Sequence, residues 1–342
     1  MKKILLALAM VLFYCVPTYA GSGELYLYIW SEYIPDEVVE NFTKETGIKV
    51  HMSNYDSNEA MYTKVKLAGE GYDLIVPSSD YVSLMRRQGL LLPLDKKQLS
   101  NFAYLAPKFT NQSFDPENTY SIPYMWGSTS IAVNTALLGN DTVNSIADLW
   151  KPELKGKLLL PNEPREVFAL ALKLLGYPLN ETDPAHIEEA YQKLKTLIPS
   201  VRVFDSDSPK QALLAGEIAV GVVFNGEAFI ANQENPDIKY VYPPEGYNLW
   251  VDSLCIPKGA KNVEEAHAFL NYLLRPDVAT IISTEMGYST PNDAAMKLIP
   301  KEVRNNPIVY PSNEVIERGE FQDYLGDSMK LYDEYWVKLK TD

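Results

Sequence analysis

Between residues 25 and 89 the chain alternates strand-like and helix-like segments, and this rhythm constrains the fold more than any other feature. Residues 25–30 are a short apolar-aromatic run. Pro35 opens a helical stretch, Asp36–Thr46, and Gly47 stops it. Residues 48–53 are strand-like again, and residues 57–68 have helical spacing and open on Ser57-Asn58-Glu59. Residues 72–77 have the composition of a buried strand, a helix is predicted from about Asp80 to Gln88, and Gly89 ends it. A β-α-β-α-β order implies a parallel sheet with helices on its faces. Such sheets bind ligands beyond the carboxyl ends of their strands. Trp30-Ser31-Glu32-Tyr33 and Pro77-Ser78-Ser79-Asp80 both fall at that edge.

A second α/β series follows a long predicted strand over residues 121–134. It comprises a strand over 156–161, a helix over 165–175 ended by Gly176, a helix over 184–197 and strands over 219–224 and 238–242. Another long strand is predicted over 249–257, then helices over 263–274 and 276–285, and a last third that is mainly helical and ends in a helix over 324–340. The two long strands separate two α/β blocks, and 342 residues suit two domains better than one. The expected fold class is α/β, two-lobed and hinged, each lobe a mixed, mainly parallel sheet flanked by helices. The expected division is residues 24–128 plus 253–298 for the first lobe and 129–252 plus 299–342 for the second. Short connections imply lobes that hinge rather than hang on a loose tether.

The N-terminus reads as an export signal. Lys2 and Lys3 precede an apolar stretch over residues 4–13, too short to span a membrane. Residues 1–20 are therefore expected to lie outside the fold. Two processing routes are open: cleavage after Thr18-Tyr19-Ala20, or lipidation at Cys15 with the following residues as a tether. Bulky Tyr14 fits a strict lipobox badly. With 31 Lys and Arg against 45 Asp and Glu, the formal charge is −14, and removal of Lys2 and Lys3 takes it to −16. Such a surface repels phosphate backbones and anionic lipid and draws cations, so no nucleic-acid partner is expected.

Cofactor and nucleophile chemistry find no support. Cys255 sits in strand-like Ser253-Leu254-Cys255-Ile256 and reads as a buried thiol. His51, His186 and His267 are scattered, so neither a metal nor a disulfide is expected. No phosphate-binding loop, dinucleotide fingerprint, nucleophile elbow or H-E-x-x-H appears. What recurs is a carboxylate beside an aromatic at a strand end. Glu32 lies between Trp30 and Tyr33, and Asp80 precedes Tyr81. Glu163 and Glu166 flank Arg165, Phe224 precedes Glu227, and Trp250 precedes Asp252. Tyr288 follows Met286-Gly287, and Tyr, at 23, outnumbers Phe, at 11. Acids with aromatic faces suit an organic cation, through charge-assisted hydrogen bonds and ring-face attraction of about 0.5–2 kcal/mol per contact. Helix capping explains some of the same residues: Glu163 and Glu166 suit a helix N-terminus, and Asp80 suits an N-cap.

At these residues the chain resembles the periplasmic spermidine/putrescine-binding proteins of bacterial ABC transporters. The resemblance runs through residues 24 to 340. It is carried by Tyr28-Ile29-Trp30-Ser31-Glu32-Tyr33-Ile34-Pro35, by residues 42–50 and 72–78, by Tyr120-Ser121-Ile122-Pro123-Tyr124, by Arg165-Glu166-Val167-Phe168 and by residues 273–279. It implies a hinged two-lobed binding protein, monomeric and periplasmic, either soluble or anchored through Cys15. Its ligand would be putrescine or spermidine, its partner a membrane permease, with no cofactor and no catalysis. It also implies roles. Trp30 and Tyr33 match aromatic cleft residues, with Ser31 and Glu32 as polar contacts beside them. Ser78 and Ser206 match polar contacts of the two lobes. Glu163 and Glu166 match an acid pair at one end of the polyamine; the first is usually Asp. Trp250 and Asp252 match an aromatic wall and the acid at the other amine, and Tyr288 and Gln322 match further contacts. Phe224 stands where the family has Trp, and Asp80 adds an acid where an aromatic contributes in close relatives. The same fold admits a polyamine-sensing module. The acids Glu32, Glu163 and Glu166 admit a carboxylate-pair glycoside hydrolase.

Overall fold

The computed structural model describes residues 23–139 and 142–341. The expected signal segment, with Cys15 and Ala20, lies outside the described residues. The strands are β1 Glu24–Trp30, β2 Lys49–Tyr55, β3 Leu74–Ile75, β4 Ser121–Asn134 and β5 Leu158–Leu160. They continue as β6 Val201–Phe204, β7 Val220–Phe224, β8 Ile238–Val241, β9 Tyr247–Cys255 and β10 Gly319–Phe321. One curled, mixed sheet runs in the order β2-β1-β3-β9-β4-β7-β5-β6, with β10 added to β9 and β8 to β4.

Its two wings are parallel units. β1 pairs in parallel with β2, Leu25 opposite Val50, and with β3, Leu27 opposite Leu74. β5 pairs in parallel with β6 and β7. Between the wings, β4 and β9 run antiparallel, with a register shift between Pro123 and Met125. Both are buried along their whole length. That is why neither shows the regular apolar-polar alternation of a strand with one face in water. Each contributes to more than one core. Ile122 and Met125 of β4 and Leu254 of β9 pack with Leu27, Phe42 and Phe269. Ile131 and Val133, further along β4, pack with Leu160, Phe168 and Trp336. Ala132 packs in a third cluster with Phe229 and Val309. β4 thus leaves one core and enters the next near Gly127, and the cleft lies at that passage.

Local chemistry sets the elements. The helix Asp36–Thr46 carries Asp36 and Glu37 in its first turn and Lys44 in its last, matching the helix dipole, and buries Val38 and Phe42 four residues apart. Gly47 ends it at φ 76°, a left-handed conformation that costs glycine little, and its N–H reaches the Thr43 carbonyl at 2.9 Å. Ser57 caps the helix Asn58–Ala68 by accepting the Ala60 N–H at 3.2 Å.

The strand predicted over 72–77 shrinks to the two residues of β3, because its flanks bond elsewhere. The Asp73 carboxylate accepts the N–H groups of Tyr26, Lys261 and Asn262. The Val76 carbonyl accepts the Trp30 indole N–H at 2.9 Å and the Tyr55 hydroxyl at 2.6 Å. β6 and β10 went unread in sequence: β6 is an edge strand with Arg202 and Val203 exposed, and β10 has three residues. The final helix begins at Met329 rather than near 324, after a short 3-10 turn over Gly326–Ser328. Among the described residues no helix is long and apolar enough to cross a membrane.

Candidate functional site

The strand-end residues meet in one cleft with about 540 Å³ of empty space. Trp30 ends β1, with Ser31 and Tyr33 in the turn beyond it. Ser78 leads into the helix Ser79–Arg87, and Asn58 opens the helix Asn58–Ala68. Glu163 and Glu166 stand at the start of the helix Pro164–Leu175, just past β5. Ser206 and Asp207 follow β6, and Phe224 ends β7 ahead of Glu227. β9 supplies Trp250 and Asp252, and Tyr288 and Gln322 complete the lining. The parallel strands of both wings thus point their carboxyl ends into the same space, as the rhythm of the sequence implies.

The acids fall into separately held groups. Asp252 accepts the Tyr33 hydroxyl at 2.7 Å and the Ser78 hydroxyl at 2.6 Å. Asn58 fixes Ser78 in turn, donating to its Oγ at 3.0 Å and accepting its N–H at 3.1 Å. Asp252 is nevertheless buried, and desolvation raises its pKa to about 7 against the pull of those two donors. Glu166 accepts the Gln322 amide at 2.9 Å and the Asn248 amide. Its Oε2 is buried with no partner, and burial raises its pKa to about 7 as well. Glu163 takes a hydrogen bond from Ser206 at 3.3 Å. Burial first, and the neighbouring Glu166 second, push its carboxyl well up. The helix N-terminus that Glu163 and Glu166 occupy does not absorb them as caps: Glu163 stands at the N-cap position and makes no capping hydrogen bond.

Aromatic rings close around these acids. Trp250 meets Tyr288 at a centroid distance of 5.4 Å and 66°, and Phe224 edge-on at 6.1 Å and 90°. Tyr33 packs on Tyr288 at 5.1 Å. Such tilted contacts hold ring faces in fixed directions. The Trp250 indole N–H is buried without a partner. Gly127 of β4 permits this arrangement, since a Cβ there would stand 2.5 Å from Trp250 Cζ2 and would also strike the Asn225 side chain. Asn225 bonds the Ser128 N–H at 3.0 Å and the Gly287 carbonyl at 3.2 Å, so it has nowhere to retreat. Gly127→Ala is therefore expected to destabilise the fold by about 1–3 kcal/mol of overpacking and to weaken ligand binding about tenfold or more. Thermal unfolding and calorimetry check the two parts.

Of the residues singled out in sequence, all but Glu32 and Asp80 line the cleft. Glu32 has a left-handed backbone, φ 47°, and a side chain 49% exposed that pairs with Lys210. Asp80 is buried behind the cleft, 3.9 Å from Arg165, and its Oδ1 accepts the Tyr81 N–H. Arg165 in turn donates to the Asp323 carbonyl and to Asn180. This buried pair joins the starts of two helices, Ser79–Arg87 and Pro164–Leu175. Asn58, Asp207, Glu227 and Lys210 went unassigned in sequence. Glu227 carries the strand-end signature, three residues past Phe224, whereas Lys210 has no local signal.

The fold and the cleft define a class: a two-lobed protein that takes a small solute between its lobes. Residues 37–311 match the family of bacterial extracellular solute-binding proteins, and the chain belongs to that family. The family is one of binding proteins and not of enzymes, which sets aside the glycoside hydrolase alternative. The spermidine/putrescine-binding periplasmic protein of Escherichia coli K12 is 50% identical over 321 residues, covering 94% of this chain and 92% of that one. The putrescine-binding periplasmic protein PotF of the same organism is 37% identical over 344 residues, covering 94% and 92%. Among solved structures, a putative spermidine/putrescine ABC transporter protein from Listeria monocytogenes superposes with a TM-score of 0.90 at 41% identity, covering 94% of this chain and 99% of that one.

Proposed function

We propose that this chain binds putrescine or spermidine outside the cytoplasm and hands it to the permease of an ABC transporter. The observation that carries this reading is the set of buried carboxylates, Glu163, Glu166 and Asp252, walled by aromatic rings and, among the described residues, without a lysine or arginine in ion-pair contact. Burying such acids unpaired is costly. An ammonium group at each position removes the cost, and the rings cover the methylenes between. The ligand thus favours the closed arrangement by differential affinity, with residues 24–128 plus 253–298 closing on 129–252 plus 299–342. The protein would work as a monomer in the periplasm, soluble or held through Cys15.

Calorimetric titration with putrescine, spermidine and the neutral diol of putrescine's length tests the reading. The amines are expected to bind at least a hundredfold tighter than the diol, the size of effect that loss of buried charge pairing produces. Diol affinity equal to that of the amines would overturn it.

A further inference from the structure

Glu227, unlike the three acids just named, comes with a cation. Lys210, in the first turn of the helix Pro209–Leu214, is 5% exposed. Its ammonium donates to Glu227 Oε1 at 3.1 Å and Oε2 at 3.2 Å. It also contacts Glu32 and lies 3.4 Å from the Ser208 hydroxyl. These acceptors exhaust the three protons of an ammonium. Burial lowers the affinity of Lys210 for its proton, but Glu227 and Glu32 outweigh that, so it stays charged. Glu32 belongs to the turn after β1, whereas Lys210 and Glu227 belong to the elements around β7. The cluster therefore spans the cleft beside Ser31 and Asp207, which line it.

A lysine side chain is a four-carbon alkylammonium, the same unit that ends a polyamine. Asp207, which also lines the cleft, is exposed and keeps its water; the buried cleft acids that remain without an ion-pair partner among the described residues form two groups, Asp252 on one hand and the adjacent Glu163 and Glu166 on the other. Two groups accommodate two ammonium ions. We propose that Lys210 is a resident ammonium that fills a third cation position of the cleft, so that the site selects diammonium ligands of the putrescine class over triammonium ligands of the spermidine class. A third ligand ammonium would find its acids, Glu227 and Glu32, already paired, and would meet the like charge of Lys210. This inference rests on the polyamine reading of the cleft.

The test is the ratio of spermidine to putrescine affinity, measured by calorimetry on the full chain. Putrescine is expected to bind about tenfold or more tighter than spermidine in the unaltered protein. Lys210→Gln frees Glu227 and Glu32 for a third ammonium and is expected to shift the ratio toward spermidine by about tenfold or more. The double variant Lys210→Gln/Glu227→Gln removes cation and acid together and is expected to lose that gain. Thermal unfolding shows which variants fold. If Lys210→Gln does not, Glu227→Gln leaves the Lys210 charge in place with fewer partners and is expected to disfavour spermidine more than putrescine. A preference of the unaltered protein for spermidine, or a ratio that no variant moves, overturns the proposal while leaving polyamine binding intact. An unaltered protein that binds neither amine overturns the polyamine reading, and this inference with it.

Discussion

Asp252→Asn is expected to weaken putrescine and spermidine binding by about a hundredfold or more, because truncating one partner of a buried, hydrogen-bonded charge pair costs about 2–5 kcal/mol. The change preserves shape and removes charge. It also leaves one amide oxygen to accept from one of the two hydroxyl donors, Tyr33 at 2.7 Å and Ser78 at 2.6 Å, and sets the NH₂ against the other, which must turn its proton away. The loss should be larger than that of Glu163→Gln, since Glu166 remains beside the latter position and can still meet an ammonium. Stability of the unliganded protein should move the other way or hardly at all, because burial already penalises the Asp252 charge. Calorimetry and thermal unfolding on the same samples separate the two effects. Amine affinity that survives Asp252→Asn intact would remove Asp252 from the site.

How far the sequence disclosed this site depends on the range of the contacts involved. The rims of the cleft were legible because strand-end positions are set locally. The run from Leu25 through Trp30 ends where a helix-opening Pro35 follows, so Trp30 and Tyr33 must sit at a carboxyl edge. β4 was legible to the residue, since fourteen residues without a helix signal, buried on both faces, leave one reading. Side-chain direction was not legible. Asp80 and Ser78 are two residues apart at one helix start, yet Ser78 faces the cleft and Asp80 faces Arg165 behind it. Nor was Lys210, whose partner Glu32 is 178 residues away in the chain. Spacing reveals the period of a segment, not the distant surface that its polar positions meet. The short elements were lost for a related reason: β10 exists because β9 offers it Tyr247 to Leu249, not because three residues prefer extension.

Amine affinity is expected to fall steeply between pH 8 and pH 5. Burial holds Asp252 and Glu166 near a pKa of about 7 in the unliganded cleft, and pushes Glu163 well up. The two primary ammonium groups of putrescine keep their protons throughout this range, the ordinary alkylammonium pKa being near about 10.4. The charge of putrescine is therefore constant, and the acids alone titrate. An ammonium favours the ionised carboxylate, so binding must expel any proton the acid carries. For each acid that has to release one, affinity drops about a hundredfold from pH 7 to pH 5. Calorimetry in two buffers of different ionisation enthalpy should register net proton release to the buffer at pH 6 and little at pH 8. Stability carries the same signature with its sign reversed from that of ordinary paired carboxylates. Because the folded pKa values are raised, the contribution of these acids to unliganded stability is fully present below the unfolded value near about 4 and is lost as pH rises through about 7. The ligand restores it, since it supplies the missing positive charge. The rise in melting temperature on adding putrescine should accordingly be larger at pH 8 than at pH 5.5. Equal shifts at the two pH values would mean that the buried acids do not hold the ligand's charge.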